Sequence, residues 1–310
     1  MIAKPLISLI ATIDFKDKVS EFIAPFFDPQ VGKEGYQIIV VEDVGFKYPF
    51  VKKHEQIITN NGCEIQIIRL NRTSRAKKRN EAILQSSSNI LLLFAGDFIP
   101  LPETIQSHLQ FHTLHPANNK VAIGPGLFVK EARSPLMEWS EETGKLFGLP
   151  FLEYKTEQPV DFFYGANASL KKDFLLSAGP FDERFLHDSC DDYDMWQRLK
   201  KLNMESWVVP SAAAIHEHDV TIEQRKMLLE QAGKSSVLLD LKYPDNIPWI
   251  NERTISIPAL EEEAKLNYKK YQYSNEINYL HKYFELISRI AFCKGYQREI
   301  QRTGRILRSI

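Results

Sequence analysis

The carboxylates of this 310-residue chain gather at a few points. Asp191-Asp192-Tyr193-Asp194 is followed at helical spacing by Arg198-Leu199, and Asp97 closes the triplet Ala95-Gly96-Asp97. Thr12 and Asp14 follow one Ile-rich run, Glu42 and Asp43 follow a second, and His216-Glu217-His218 comes after a third apolar stretch. Side-chain oxygens and imidazoles of these types take up protons or hold divalent cations. Each also has a plain structural use. Asp and Thr close turns and cap helices after strands, and carboxylates favour the first turn of a helix. Arg79, in a basic cluster with Arg72, Arg75, Lys77 and Lys78, is open to the same double reading, because such a cluster also makes a solvated helix face. Position in the fold decides between these uses.

Residues 6–11, 37–41, 65–70 and 90–94 are short apolar runs rich in Ile, Leu and Val, each closed by polar residues. Residues 72–86 read as a helix, with Ala76, Ala82 and Ile83 at suitable spacing. Strand and helix alternating in this way imply an α/β fold with a parallel sheet covered on both faces. Ligands on such sheets bind outside the carboxyl ends of the strands, where Thr12, Asp14, Glu42, Asp43 and Asp97 fall. From residue 162 the pattern changes. A small-residue-rich strand over 162–170 leads to a helix over 171–178, stopped by Gly179-Pro180. A further helix opens at Asp191, and a strand over 206–209 precedes His216 and His218. Residues 222–241 read as a helix, 244–258 as a Pro-containing connector, and 259–310 as helical again. There Ile277, Leu280, Phe284, Ile287 and Ala291 recur at spacings of three and four.

Several function classes are excluded. No G-x-G-x-x-G follows a strand, which argues against a dinucleotide-binding dehydrogenase. Gly233-Lys234-Ser235 imitates the end of a phosphate loop, but position 228 is Leu where that motif requires Gly, and the segment is helical. Lys plus Arg is 39 against 40 Asp plus Glu, a net charge of −1, so the chain does not coat nucleic acid along its length. The charge is unevenly spread. Residues 269–310 carry +6 and the remaining 268 carry −7. That basic helical segment suits packing or a homo-oligomer contact, with peripheral contact to an anionic membrane as the sharper alternative. Cys63, Cys190 and Cys293 lack metal-type spacing and fit a reducing cytosol. The longest unbroken apolar run, over 90–95, is far short of the ~20 residues of a membrane span. The apolar N-terminus ends at Asp14 without a cleavage pattern and reads as a first strand, so a cytoplasmic protein is expected.

The order of the elements resembles the family 2 glycosyltransferases, nucleotide-diphospho-sugar transferases of the Rossmann-like GT-A fold. Gly165-Ala166-Asn167-Ala168 is similar to that family's glycine-rich acceptor-side strand, and Gly179-Pro180-Phe181-Asp182-Glu183 to its "GGFDE" turn. Asp191-Asp192-Tyr193-Asp194 with Arg198-Leu199 resembles its "ED-x-E…RL" helix start, and His216 and His218 fall where it often places a histidine. In the first half, the run over 7–12, Ile38-Ile39-Val40-Val41-Glu42-Asp43 and Arg79-Asn80 resemble its opening strand, "iivvDD" and "aRN" segments. The likeness covers roughly residues 5 to 220. It implies a GT-A catalytic domain over 1–220 with a mixed, mainly parallel central sheet, followed by a helical extension over 221–310.

The resemblance implies inverting transfer of a sugar from a nucleotide-diphospho-sugar, UDP being the commonest donor, to a hydroxyl of a saccharide, lipid-linked or peptide acceptor. Asp192 is then the general base, with Asp191 beside it. Asp97, with His216 or His218, would hold Mn²⁺ or Mg²⁺. Thr12, Asp14, Glu42, Asp43, Arg79, Gly96, Asp97 and Gly165 would line the donor crevice. One departure stands out: the family carries D-x-D where this chain has Ala95-Gly96-Asp97. Losing the first carboxylate would weaken donor binding or alter donor choice, which opens the alternative of a catalytically weak or inactive nucleotide-sugar-binding scaffold.

Overall fold

The computed structural model describes residues 4–13, 19–43, 53–128, 133–186, 189–216, 219–244 and 255–304. Two units divide the chain: Met1–Ala132 with Ser140–Arg184 and Asp191–His218, and Arg133–Trp139 with Phe185–Cys190 and Asp219–Ile310.

The first unit starts with β1 (Ile7–Ile13), the short helix α1 (Val19–Ile23), β2 (Tyr36–Asp43), β3 (Lys53–Ile58) and β4 (Glu64–Leu70). Helix α2 (Arg75–Gln85), β5 (Ile90–Ala95), β6 (Phe98–Pro100), α3 (Thr104–Leu114), β7 (Lys120–Ile123) and β8 (Gly126–Phe128) follow. After α4 (Pro135–Glu142), in which the boundary between the units falls, come β9 (Gln158–Val160), β10 (Asn167–Lys171), α5 (Lys172–Ser177), α6 (Asp191–Lys200), β11 (Glu205–Val208) and β12 (Ala214–His216).

Among the described residues, nine strands form one mixed sheet in the order β3-β4-β2-β1-β5-β10-β7-β11-β9. β4, β2, β1 and β5 run parallel; β10 is antiparallel to both β5 and β7, and β11 is parallel to β7. Six strands therefore share one direction, and only β3, β10 and β9 oppose it. The sheet is mixed and mainly parallel, as the resemblance implies. β6, β12 and β8 make a second, three-stranded sheet.

The continuous Ile/Val/Leu character of β1, β2 and β5 reflects burial on both faces. Alternate residues serve alternate cores. Ile10, Ile39, Val41, Leu91 and Leu93 pack with Ala82 and Ile83 of α2 and Met195 and Leu199 of α6. Leu9, Ala11, Ile38, Val40 and Leu92 pack on the other side with Phe22 of α1 and Ile105 of α3. α2 is shorter than the pattern over 72–86 suggests, because the Ser74 hydroxyl caps it by accepting the Lys77 amide. The strand expected over 162–170 is confined to Asn167–Lys171: residues 165–166 form a turn, and the Tyr164 hydroxyl donates to the Gly124 carbonyl at 2.7 Å.

The second unit contains α7 (Ile222–Lys242), α8 (Ile257–Ser274) and α9 (Ile277–Thr303). Thr221 and Gln224 close a reciprocal capping box at the start of α7. α7 and α9 touch backbone to backbone at two glycines. A Cβ on Gly233 would lie 2.0 Å from the Phe292 carbonyl oxygen, and one on Gly295 1.9 Å from that of Glu230. The helical stretch expected beyond residue 259 is broken at Asn275, whose φ of 55° ends α8 and turns the chain into α9. Leu260, Ala264, Leu280, Phe284, Ile287 and Ile290 form the core of this unit with Leu136 and Trp139. No described helix is long and apolar enough to cross a membrane.

Candidate active site

The N-terminus of α6 and one face of α2 meet through charge. Arg79 Nη1 donates to Asp191 Oδ2 at 2.8 Å and to Asp192 Oδ1 at 2.6 Å, while its Nη2 donates to the Gly165 carbonyl at 2.8 Å. The guanidinium also lies 5.0 Å from the centre of the Phe181 ring. Arg75, one helical turn earlier, grips Asp191 with two nitrogens. Asp191 is 1% exposed, and burial alone would raise its pKa. The Arg75 and Arg79 guanidiniums outweigh that effect and hold it down to about 2. Asp192 differs. Its side chain is 23% exposed, and its Oδ2 sits 3.9 Å from Arg75, beyond hydrogen-bond reach.

Gly165 is required by this arrangement. A Cβ there would fall 2.4 Å from Arg79 Nη2 and 2.7 Å from Asp192 Oδ1. Neighbouring contacts lock the same elements. The Asn80 amide pairs with Phe181 like a second backbone, donating to its carbonyl and accepting its N–H, both at 2.9 Å. Arg198, held by Asp194 four residues earlier, donates to the carbonyls of Ala178, Gly179 and Pro180 and so closes the end of α5. Gly179 there has φ +83° and suits the turn.

A second polar pair lies at the carboxyl end of β5. His216 Nε2, on β12, is 3.1 Å from Asp97 Oδ2. The imidazole is 5% exposed and is enclosed edge-on by Phe98, Phe128 and Phe147, at 5.3 to 5.7 Å between ring centres. The 3.1 Å separation is a hydrogen bond, and a carboxylate oxygen with an imidazole nitrogen is a donor pair that Mg²⁺ or Mn²⁺ accepts. By donor type the two would suit such an ion; among the described residues no cluster of three or more His, Cys, Asp or Glu could hold a metal. Gly96 permits a close approach beside the pair, since a Cβ there would lie 2.7 Å from the Thr12 carbonyl oxygen.

The two pairs share one end of the sheet. The Ala95 amide donates to the Ala166 carbonyl at 2.7 Å, which sets the residue before Gly96 against the residue after Gly165. Thr12, paired in register with Ala95, is partly exposed at the end of β1.

Other residues singled out in the sequence fall differently. Arg79, which the resemblance assigns to the donor crevice, is 4% exposed and bonded to both carboxylates. Asp191 is likewise enclosed, with both carboxylate oxygens bonded to Arg75 and Arg79. Glu42 accepts from Arg69 Nε at 3.0 Å, and Arg69 also binds Glu55, a ladder across neighbouring strands. Asp43 is buried. Asp14 and His218 lie outside the described residues. Arg75 was concealed in its basic cluster, although its spacing of four from Arg79 puts both on one helix face.

No family model matches the sequence, and no curated protein does. Among solved structures the chain is similar to residues 1–349 of TarS from S. aureus, at 11% identity and a TM-score of 0.49, over 97% of this chain and 93% of that one. It is also similar to the same protein in complex with UDP, at 12% identity and a TM-score of 0.48, over 98% and 94% of the respective chains. At such identity the likeness carries no correspondence between residues.

Proposed function

We propose that the chain is a nucleotide-sugar-dependent glycosyltransferase acting with inversion on a hydroxyl acceptor, with Asp192 as the general base. The observation that carries this reading is the asymmetry of the two neighbouring carboxylates. Asp191 is sealed between two guanidiniums, whereas Asp192 is anchored through one oxygen and leaves the other open at the end of the sheet. A carboxylate fixed in this way can accept the proton of a hydroxyl as that oxygen attacks an anomeric carbon. Arg79 holds Asp192 in place, and Asp191 neutralises the charge of the clamp. Asp97 and His216 would hold Mn²⁺ or Mg²⁺, which supplies positive charge beside a leaving diphosphate.

A UDP-sugar is the donor this reading favours, with a saccharide, lipid-linked or peptide hydroxyl as acceptor. The cytoplasm is the proposed location, in keeping with three cysteines that form no disulfide. A donor screen by thermal shift with Mn²⁺ present identifies the nucleotide, because a bound ligand raises the apparent stability of the native state. Asp192→Asn then lowers kcat by about 10²–10⁴-fold without changing nucleotide affinity. Full turnover by that variant would sink the assignment. Ala95, at the end of β5 where the resemblance implies a carboxylate, favours the second reading of a nucleotide-sugar-binding scaffold. Tight UDP binding in calorimetry, with no turnover of any sugar donor when acceptors are supplied, selects that reading.

A further inference from the structure

The second unit has a groove of about 750 Å³ lined by α7, α8 and α9. α7 and α9 run side by side in the same direction, as the bonds from Arg225 to Ser288 and from Arg298 to Glu230 require. α8 returns antiparallel to α9 and leaves an open channel between itself and α7. Lining residues on α9 run from Tyr283 to Arg298, about 22 Å along the helix.

The channel is chemically two-sided. Its floor is Ala264, Ile287, Ile290 and Ala291, and Met227, 53% exposed, stands on the α7 wall. The lining is rich in cations: Lys226 pairs with Glu223, and Lys234, Lys265, Lys294 and Arg298 face Glu230 and Glu261. Glu230 is shared between Lys234 and Arg298, and Glu261 is bound to Lys294. Five cations against three carboxylates leave a surplus of two positive charges along the walls of an apolar trough. These cations stand on an open, solvated face, and an anionic head laid over the apolar floor would use their surplus charge.

We propose that this groove binds a single-chain anionic amphiphile, its hydrocarbon tail along the α9 floor and a phosphate-type head against Lys234, Lys265, Lys294 and Arg298. The volume is that of a small-molecule site, and the pairing of an apolar floor with a few converging polar groups is the usual composition of one. Every lining residue belongs to the second unit, so the proposal stands independently of the transferase reading.

Calorimetric titration of the full chain with dodecyl phosphate, below its critical micelle concentration, tests the idea. Saturable one-to-one binding is expected, at least about tenfold tighter than that of inorganic phosphate or of dodecyl maltoside. The first control lacks the tail and the second lacks the charge. Lys265→Gln combined with Arg298→Gln, both at exposed positions, should weaken binding about tenfold with the circular dichroism spectrum unchanged. Met227→Asp should weaken it as well, through the tail. Equal uptake of dodecyl maltoside, or affinity indifferent to both variants, would overturn the proposal. So would binding to phosphatidylglycerol vesicles with no uptake of monomeric dodecyl phosphate, since that describes a charged surface and not a groove.

Discussion

The proposed base depends on one atom that is missing. Gly165 has no Cβ, and this lets Arg79 bridge its carbonyl and Asp192 at the same time. In Gly165→Ala the backbone has no need to change, since φ there is not positive, so the added methyl has to displace the guanidinium or the carboxylate. Both are side-chain ends and can move, which keeps the cost in stability to about 1–3 kcal/mol. Catalysis is less tolerant, because shifting a reacting group by about 1 Å costs about 100-fold. The expected outcome is a kcat loss of that order with a small change in urea midpoint; unchanged kcat would detach Gly165 from the chemistry. Much of this site was legible in the residue types, since Asp191, Asp192, Arg79 and Gly165 all meet. The roles were not. Which carboxylate is sealed and which is open depends on Arg75, and a run of cations in a sequence does not say which of them turn inward.

Elements show the same limit in another form. β1, β2, β4 and β5 could be read because strands with buried faces spell themselves as apolar runs. β6, β8, β9 and β12, at three residues each, are too short to show a period, and their pairing is set by partners far along the chain. Those short strands nevertheless place His216. Phe147 completes the ring cage from a loop whose turns at Gly144 and Gly148 have φ of 67° and 83°. If the proposed Asp97–His216 pair holds Mn²⁺, Phe147→Ala should loosen the imidazole and weaken that binding by about tenfold in a paramagnetic titration, with Phe147→Tyr restoring it. Equal affinity in the Ala variant would mean that Asp97 and His216 need no cage. In the helical unit the same logic applies to Gly233, where a Cβ would meet the Phe292 backbone at 2.0 Å. A backbone atom cannot swing aside. Gly233→Ala should destabilise that unit by about 1–3 kcal/mol, and wild-type stability on denaturation would show that α7 and α9 can part without cost.

At the scale of the whole molecule, the two units carry different responses to acid. In the first, α3 presses two histidines onto β10. His108 lies 2.9 Å from both Ser169 Oγ and Asn167 Oδ1, and His112 lies 2.9 Å from the same hydroxyl. Burial pushes His108 down to about 4, and burial with nearby Lys171 pushes His112 down to about 3. Both are neutral in the fold, but once unfolded they take up protons below pH 6.5. The unfolded chain thus binds more protons as pH falls, so stability is full above 6.5 and is lost progressively towards 4 and 3. Asp191, depressed to about 2 from 3.8, adds a separate loss only below pH 4. The helical unit's buried Arg225 is lowered by burial to about 10, far above this range, and contributes no slope there. At pH 5.5 the two histidines together should cost the first unit about 3 kcal/mol, or roughly 5–10 °C in melting temperature. Calorimetry at pH 7.5 and 5.5 should then show one transition moving down while a second stays in place. His108→Gln with His112→Gln should flatten the moving one. A single transition that shifts as a whole would show that the two cores unfold together, and a transition indifferent to both histidines would place the acid sensitivity elsewhere.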